Sequence, residues 1–174
     1  MSDVSLERKL LELLAEVDFD RRYYAYYESH RSPEDADSVV SDKDLATALS
    51  QTALEFEYTA SEHLFRHKEV CDSIELMFGV GLLGGSDLEF LLYLKTSKGF
   101  LGGPFPKLAR EVGQVRDPAF TCSPRSPKLP VSRLQDLQEA VQFGLSLFED
   151  ARNKLCSFQG WTEGKTKKPR RKRT

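Results

Sequence analysis

The stretch SIELMFGVGLLGGSDLEFLLYLKT, residues 73–96, holds two apolar runs separated by a short turn. The runs at residues 73–83 and 87–96 are rich in aromatic and branched side chains, which favour strands. The tripeptide Gly-Gly-Ser at residues 84–86 stands between them, and glycine supplies the positive φ that a tight hairpin needs. The stretch therefore predicts an antiparallel hairpin near the middle of the chain.

Further strands are predicted on both sides of this hairpin. After a turn at residues 97–99, residues 100–105 predict a short strand. Residues 54–66 begin with apolar and acidic side chains in alternation, which favours a strand with one buried face. A helical stripe that continues through Phe56 and Ala60 to Leu64 is the alternative for this segment.

Three helices are predicted outside the strands at the N-terminal end and just after them. Ser5 can cap a first helix that runs to about Val17, and residues 18–31 either extend it or form a second helix. Ser41 and Asp44 match a capping box, which predicts another helix after an acidic loop. Residues 106–115 predict a short helix with a proline at its opening, where the missing N–H costs little.

The last predicted helix is the longest. Ser132 and Gln135 match a capping box at its start. From Leu134 to Leu155 apolar residues recur every three or four positions, which corresponds to about six helical turns. The pattern predicts one continuous helix that buries a single stripe.

These elements predict an α+β fold at residues 1–163, with helices packed on one face of an antiparallel meander of three to four strands. A basic, disordered tail is predicted at residues 164–174. Alternation along the strands places Glu57, Glu75 and Glu89 on the other face of the sheet, where they meet solvent or a partner.

The charge is divided unevenly along the chain. Seven of its 25 basic residues lie at residues 165–174, which hold no acid, so the remainder carries 27 acids against 18 bases. An acidic body attracts basic protein surfaces and repels phosphates. We therefore predict a non-catalytic protein-binding function and a partner with a basic surface. The predicted contact residues are acidic, with two tyrosines of the kind enriched at interfaces: Tyr24, Tyr27, Glu34, Asp35, Asp37, Asp42, Asp44, Glu55, Glu57, Glu75 and Glu89.

The tail supports a second hypothesis, in which the protein is a nucleic-acid-associated factor. Runs of lysine and arginine bind phosphates through charge, with little dependence on base sequence. The alternatives are a nuclear localisation signal in a eukaryote, contact with an anionic membrane, and a disordered tail that only improves solubility. If nucleic acid binds, the residues that bind it are predicted to be Lys165, Lys167, Lys168, Arg170, Arg171, Lys172 and Arg173.

Motifs for catalysis and cofactors are weak. Residues 79–84 match GxGxxG, but a dinucleotide site needs a helix after the glycines, and a strand is predicted there. His63, His67 and Cys71 are spaced four apart, yet a zinc site needs a fourth ligand. The sequence thus predicts no catalytic residue, no cofactor and no metal. A small enzyme with a pocket near residues 102–103 and the two histidines is a third hypothesis.

The cysteines indicate a reducing compartment, and the lengths of the apolar runs argue against a membrane span. Cys71, Cys122 and Cys156 are few, odd in number and widely spaced, which predicts free thiols rather than disulfides. No apolar run approaches the roughly 20 residues of a membrane span. Residues 1–9 lack the basic and apolar pattern of a signal peptide. We therefore predict a cytoplasmic protein.

Three segments carry a resemblance to a known class of proteins. They are the hairpin SIELMFGVGLLGG with LEFLLYLKT, the following KGFLGGPFPKLAREVG, and LQEAVQFGLSLFEDA in the last helix, all within residues 73–151. The arrangement resembles the immunity proteins of bacterial polymorphic toxin systems. This resemblance implies a small cytosolic α+β protein that inhibits a cognate toxin stoichiometrically by masking its active site. It implies no catalytic residue.

Overall fold

The structure is a computed structural model that describes residues 3–30, 40–72 and 74–161. Three predicted contact residues, Glu34, Asp35 and Asp37, lie outside the described residues. The tail at residues 164–174, with its seven basic residues, also lies outside them, so the prediction of a disordered tail stays a prediction. The division of the chain into a domain and a tail is likewise a prediction only.

The α+β fold with an antiparallel meander is confirmed. Five strands lie side by side in chain order, and a two-residue strand pairs with the start of the fourth strand. The sheet has six strands rather than the three to four predicted. The strands are β1 (Glu57–Thr59), β2 (Leu64–Cys71), β3 (Ile74–Leu83), β4 (Asp87–Thr96), β5 (Gly99–Pro104) and β6 (Leu129–Pro130).

The single strand predicted for residues 54–66 is wrong, although the segment contains strand and not the alternative helix. A turn at residues 60–63 separates β1 from β2, and β2 continues to Cys71. His63, the residue before β2, has a φ of 49°, a left-handed conformation typical of a turn. The predicted strand count was too low because this hairpin contains no glycine or proline to mark its turn.

Five helices accompany the sheet: α1 (Asp3–Glu16), α2 (Phe19–His30), α3 (Asp42–Ser50), α4 (Phe105–Arg116) and α5 (Leu134–Ser157). A 3₁₀ turn, Gln159–Trp161, follows α5. Ser5 lies inside α1 and is not its N-cap. Asp18, with a φ of 53°, separates α1 from α2, so Phe19–His30 form a second helix and not an extension.

The two capping predictions have different outcomes. At α3 the Ser41–Asp44 capping box is present as predicted. At α5 the box lies one residue further on, because Asp136 and not Gln135 closes it. The Asp136 carboxylate accepts from the Arg133 backbone N–H at 3.2 Å and from the Ser132 hydroxyl at 3.1 Å. A carboxylate also neutralises the positive end of the helix better than an amide does.

Helices cover one face of the sheet and form the core with it. The side chains of β3 that point to this face alternate along the strand and are all buried, and Phe78 stacks on Phe148 of α5 with ring centroids 4.5 Å apart. Trp161 closes the end of the core, where its indole N–H donates to the Leu155 carbonyl at 2.8 Å. These contacts tie α5 to the middle strands of the sheet.

The glycine-rich run does not form a dinucleotide site. Gly79 and Gly81 lie within β3, and Gly84 and Gly85 form the turn to β4 with φ values of 61° and 75°. A strand follows them, as the hairpin interpretation requires. No helix begins there to receive a pyrophosphate.

The prediction of free thiols is wrong for two of the three cysteines. Cys71 at the end of β2 and Cys156 in the last turn of α5 form a disulfide, and only Cys122 is free. The sequence hides this pairing because the two residues are 85 positions apart. Their proximity depends on how α5 crosses the sheet.

α5 runs beside β2, and residue pairs along the two elements contact each other at matching intervals. His67 meets Phe148 with ring centroids 6.2 Å apart, Glu69 pairs with Arg152 at 3.6 Å, and Cys71 bonds to Cys156. Two strand residues advance about 6.6 Å and four helix residues about 6.0 Å, so successive pairs stay matched. We call these three pairs the β2–α5 seam.

Candidate docking face

The face of the sheet opposite the helices is left open by the core. Strand alternation assigns to it the residues between the buried ones, and we call this surface the uncovered face. Its side chains on β2 to β5 are mostly half-buried or exposed, with the exception of Leu64. They are Leu64, Arg66, Lys68, Val70, Glu75, Met77, Leu83, Asp87, Glu89, Leu91, Tyr93, Lys95 and Phe100.

One row across this face carries two strongly exposed apolar side chains. The register aligns Val70 with Glu75, Glu75 with Lys95 and Lys95 with Phe100. Val70 is 75% exposed and Phe100 is 70% exposed. These two apolar side chains stand at opposite ends of the row, with the charged Glu75 and Lys95 between them.

The adjacent row of the same face adds two more apolar side chains, those of Met77 and Tyr93. Met77 pairs in register with Tyr93, and Tyr93 with Gly102. Gly102 has a φ of 114°, and a Cβ there would lie 2.1 Å from the Leu92 carbonyl oxygen, so no side chain can stand beside Tyr93 on β5. A depression of about 330 Å³ results, lined by Arg66, Lys68, Glu75, Met77, Tyr93, Lys95 and Phe100.

A second, larger cavity of about 650 Å³ lies at the other end of the uncovered face. Its lining includes three carboxylates, Asp42, Glu62 and Glu89, together with His63. We call it the acidic cavity. The Tyr58 hydroxyl donates to Asp42 Oδ2 at 2.7 Å, and His63 Nδ1 lies 3.2 Å from the same oxygen. These contacts hold the Asp42 carboxylate at the entrance of α3.

Glu89 is the carboxylate of this cavity that is least well satisfied. Burial raises the pKa of its carboxyl group, and the positive charge of Lys128 opposes this effect. Within the part of the chain that the structure describes, no hydrogen bond or ion pair is formed by its side chain. A half-buried carboxylate that forms no hydrogen bond or ion pair is a site where a positive group from a partner would be stabilised.

The predicted contact residues are only partly brought together. Glu57, Glu75 and Glu89 lie on the uncovered face, as predicted from alternation. Asp42 shares the acidic cavity with Glu89. The other described acids lie elsewhere, Asp44 in the α3 capping box and Glu55 on the exposed segment before β1.

Tyr24 and Tyr27 lie on α2, within the helical layer. They line a separate pocket of about 330 Å³ with the proline-rich loop that precedes α5. The Tyr24 hydroxyl contacts Cys122 Sγ at 3.2 Å, and its ring packs on Phe120 with centroids 5.6 Å apart. These tyrosines therefore do not belong to the same surface as Glu75 and Glu89.

Sequence reasoning missed the basic residues of the uncovered face. In the register Arg66 stands beside Glu57, Lys68 beside Met77 and Lys95 beside Glu75. Alternation along β2 and β4 is the signal that could have found them. The face is thus basic and apolar around Phe100 and acidic around Glu89, and not acidic throughout.

The residues of the enzyme hypothesis are far apart. His63 lies in the turn before β2, and Gly102 and Gly103 lie on β5, three strands away. Three strand spacings amount to about 14 Å. His67 points to the helical side, where its ring lies against Phe148. The structure does not assemble these residues into one pocket.

Comparison of the chain with protein-family models, with curated proteins and with solved structures finds no match in any of the three. Among the described helices, none combines the length and the apolar character that crossing a bilayer would require. The functional argument therefore depends on the uncovered face and its chemistry.

Proposed function

We propose that this chain is a non-catalytic protein-binding module that docks through the uncovered face of its sheet. The observation that supports this most directly is the pair Val70 and Phe100, which expose 75% and 70% of their surface on one row. Covering such side chains gains about 25 cal/mol per Å² of apolar area. A partner that spans this row would bury both at once.

The composition of the surface favours a protein partner. Aromatic residues, methionine and arginine are enriched at the centre of protein interfaces, and the face offers Phe100, Tyr93, Met77 and Arg66 in one area. Charges of both signs surround this area. A protein can present complementary charges to such a mixed rim, whereas a polyphosphate backbone cannot.

The acidic cavity determines what kind of partner fits. Its carboxylates favour a lysine or arginine from the partner, and Glu89 gains most because it is half-buried and forms no ion pair among the described residues. The proposed partner therefore combines an apolar patch with a basic side chain that enters this cavity. An immunity function, in which the module masks the active site of a cytoplasmic toxin, is the form of this proposal that the sequence resemblance suggests.

The test begins by isolating the partner with the purified chain as bait. If that partner is a toxin domain, binding is measured with a catalytically inactive variant of it. Val70→Asp/Phe100→Asp is expected to weaken binding at least thirtyfold, which corresponds to about 2 kcal/mol for a hot spot. Leu134→Asp is the matched control, because Leu134 is an exposed apolar residue on the helical layer. Co-expression with the active toxin should then be tolerated with wild type and Leu134→Asp only.

Two results would contradict this proposal. The first is equal binding by wild type and by the Val70/Phe100 double variant, which would place the interface elsewhere. The second is a loss of binding for Leu134→Asp as large as that for the double variant. Both variants change exposed side chains, so the free energy of unfolding should stay within about 0.5 kcal/mol of wild type.

Nucleic acid binding is a second candidate, which the basic depression favours. Tyr93 and Phe100 offer rings for base stacking, and Lys95 lies 5.9 Å from the Phe100 centroid. Arg66 and Lys68 add positive charge, but Glu75 lies among them and repels phosphate. A fluorescently labelled single-stranded oligonucleotide tests this candidate. Binding that weakens with salt and is lost in Lys68→Glu/Lys95→Glu would favour it over a protein partner.

A further inference from the structure

We propose that Cys71, Cys156 and Glu69 form a zinc-binding site at the end of the β2–α5 seam when the two cysteines are reduced. The site and the disulfide exclude each other, so the oxidation state of the pair decides whether the seam is closed by a covalent bond or by a metal ion. This proposal stands on the seam alone and does not depend on the proposed docking function.

The geometry places three suitable ligand atoms close together. A carboxylate oxygen of Glu69 and the two sulfur atoms all lie within 4.8 Å of one another. Glu69 Oε1 lies 3.8 Å from Cys71 Sγ. In a tetrahedral zinc site, ligand atoms are separated by about 3.5 Å for oxygen and sulfur and about 3.8 Å for two sulfurs. The carboxylate is therefore already at ligand distance from the first sulfur.

The backbone supports this arrangement from both sides. Glu69 and Cys71 are two residues apart on β2, so they point to the same side of the strand. Cys156 approaches from α5, with its Cα 5.4 Å from that of Cys71. All three residues are half-buried, which shields the ligands and leaves room for water at a fourth position. Three protein ligands and one water are the pattern of an open zinc site.

His67 is near this site but is not one of its ligands. Its Nδ1 lies 2.9 Å from the Glu55 carbonyl, and its Nε2 lies 3.6 Å from Glu69 Oε2. Four residues along a strand separate it from Cys71 by about 13 Å, which is too far for one zinc ion to bridge. Its imidazole instead stands beside the carboxylate, where it can orient Glu69.

Arg152 competes with the metal for Glu69. Its Nη1 lies 3.6 Å from Glu69 Oε2, so in the disulfide form the guanidinium balances the carboxylate charge. A zinc ion on the carboxylate would repel this cation. Because Arg152 is partly exposed, its side chain can turn toward solvent when zinc binds.

The chemistry of the exchange balances. The disulfide accepts two electrons and two protons from a dithiol reductant, which itself becomes a disulfide. The two thiols then release their protons to the solvent as zinc binds, since only thiolates are effective ligands. Oxidation of the thiolates by a disulfide of low-molecular-weight thiols reverses the process and releases the metal.

The test measures zinc retained by the full chain after reduction with a phosphine, incubation with zinc chloride and gel filtration into metal-free buffer. About one zinc per chain is expected for the reduced protein and none for the oxidised protein. Cys122→Ser should retain zinc like wild type, because Cys122 is outside the seam. Cobalt in place of zinc should give the near-ultraviolet absorption of a thiolate–cobalt bond.

Two further variants keep both cysteines and so do not depend on whether a cysteine variant folds. Glu69→Gln should weaken zinc binding about tenfold, and Arg152→Gln should strengthen it by removing the competing cation. The proposal is overturned if the reduced wild type retains no more zinc than Cys71→Ser/Cys156→Ser. Equal affinity of wild type and Glu69→Gln would remove the carboxylate from the proposed ligand set.

Discussion

Gly144 is the residue at which α5 comes closest to the sheet. A Cβ at this position would lie 2.3 Å from the Phe90 ring, which is itself buried between Phe78 and Phe105. Alanine would gain up to about 1 kcal/mol in helix propensity. The overlap with a ring that cannot move costs more, about 1 to 3 kcal/mol.

We therefore expect Gly144→Ala to lower the free energy of unfolding by up to about 2 kcal/mol, the overlap cost less the gain in helix propensity. Urea denaturation followed by circular dichroism measures this quantity. Gln142→Ala is the control, because Gln142 lies on the exposed side of the same helix. An unchanged midpoint for Gly144→Ala would mean that α5 stands further from Phe90 than in this structure.

Glu89 gives a prediction about pH. Burial raises the pKa of this carboxyl group above its ordinary value of 4.5, so the folded state binds the proton more tightly than the unfolded state does. The resulting stabilisation is present at low pH and is lost as pH rises through the raised pKa. At neutral pH the ionised Glu89 therefore destabilises the fold.

Glu89→Gln should accordingly be more stable than wild type at pH 7 and equal to it below the ordinary pKa. Because the side chain is only half-buried, solvent screening keeps the gain below about 1 kcal/mol. Thermal unfolding at several pH values tests this prediction. Glu149→Gln, at an exposed position of α5, is the control. A gain that does not change with pH would exclude ionisation of Glu89 as its cause.

The same variant should weaken the proposed docking. A lysine or arginine of the partner is attracted by the Glu89 carboxylate and not by a glutamine amide. Stability and binding are thus expected to change in opposite directions at this residue, which is common at functional sites.

At the scale of elements, the β2–α5 seam depends on a bond that closes a long loop. Cys71 and Cys156 are 85 residues apart, and in the chain-entropy account a loop of this length corresponds to about 4 to 5 kcal/mol of stabilisation. Reduction should lower the free energy of unfolding by up to that amount. The measurement is urea denaturation with and without a phosphine reductant, in the presence of a chelator.

Cys122→Ser provides the background for that experiment, because it removes the free thiol that could exchange with the disulfide. Its own midpoint should match that of wild type under oxidising conditions. No effect of reduction on the midpoint would mean that the seam is held by its other pairs, Glu69 with Arg152 and His67 with Phe148.

At the scale of the whole molecule, the body and the tail have opposite charge. Deletion of residues 165–174 removes seven basic residues and leaves 27 acids against 18 bases. If the uncovered face binds a protein, the shortened chain should keep its affinity for that partner, and the affinity should fall with added salt because the cavity is acidic.

Isothermal titration calorimetry at low and at physiological salt measures this affinity for the shortened and the full chain. Retained, salt-sensitive binding supports docking by the body. Binding that disappears with the tail would instead favour the nucleic-acid hypothesis, which assigns recognition to Lys165 and the basic residues after it.

The strongest elements could be predicted because their signals are local. β4 has the predicted bounds, Asp87–Thr96, because the alternating pattern and the glycine turn before it both lie within a short stretch of sequence. The Ser41–Asp44 box is equally local. The weak turn at residues 60–63 and the two-residue β6 carry little local signal, so they were missed.

The candidate site was predictable only in part, for the same physical reason. Alternation alone put Glu75 and Glu89 on the open side of the sheet. Which charges stand beside them depends on the register between strands, and this register brings Lys95 next to Glu75. Distant contacts of this kind leave no periodic trace in the chain.

By itself, the amino-acid sequence determined the class of fold, the central hairpin and the long last helix, because hydrophobic period and capping act over a few residues. Tertiary structure decided the rest. It brings Cys71 and Cys156 close enough to form a disulfide and places basic residues beside acidic ones on the uncovered face. It also puts Tyr24 in a different pocket from Glu89. These outcomes follow from packing between residues far apart in the chain, and such packing is set only when the whole core forms.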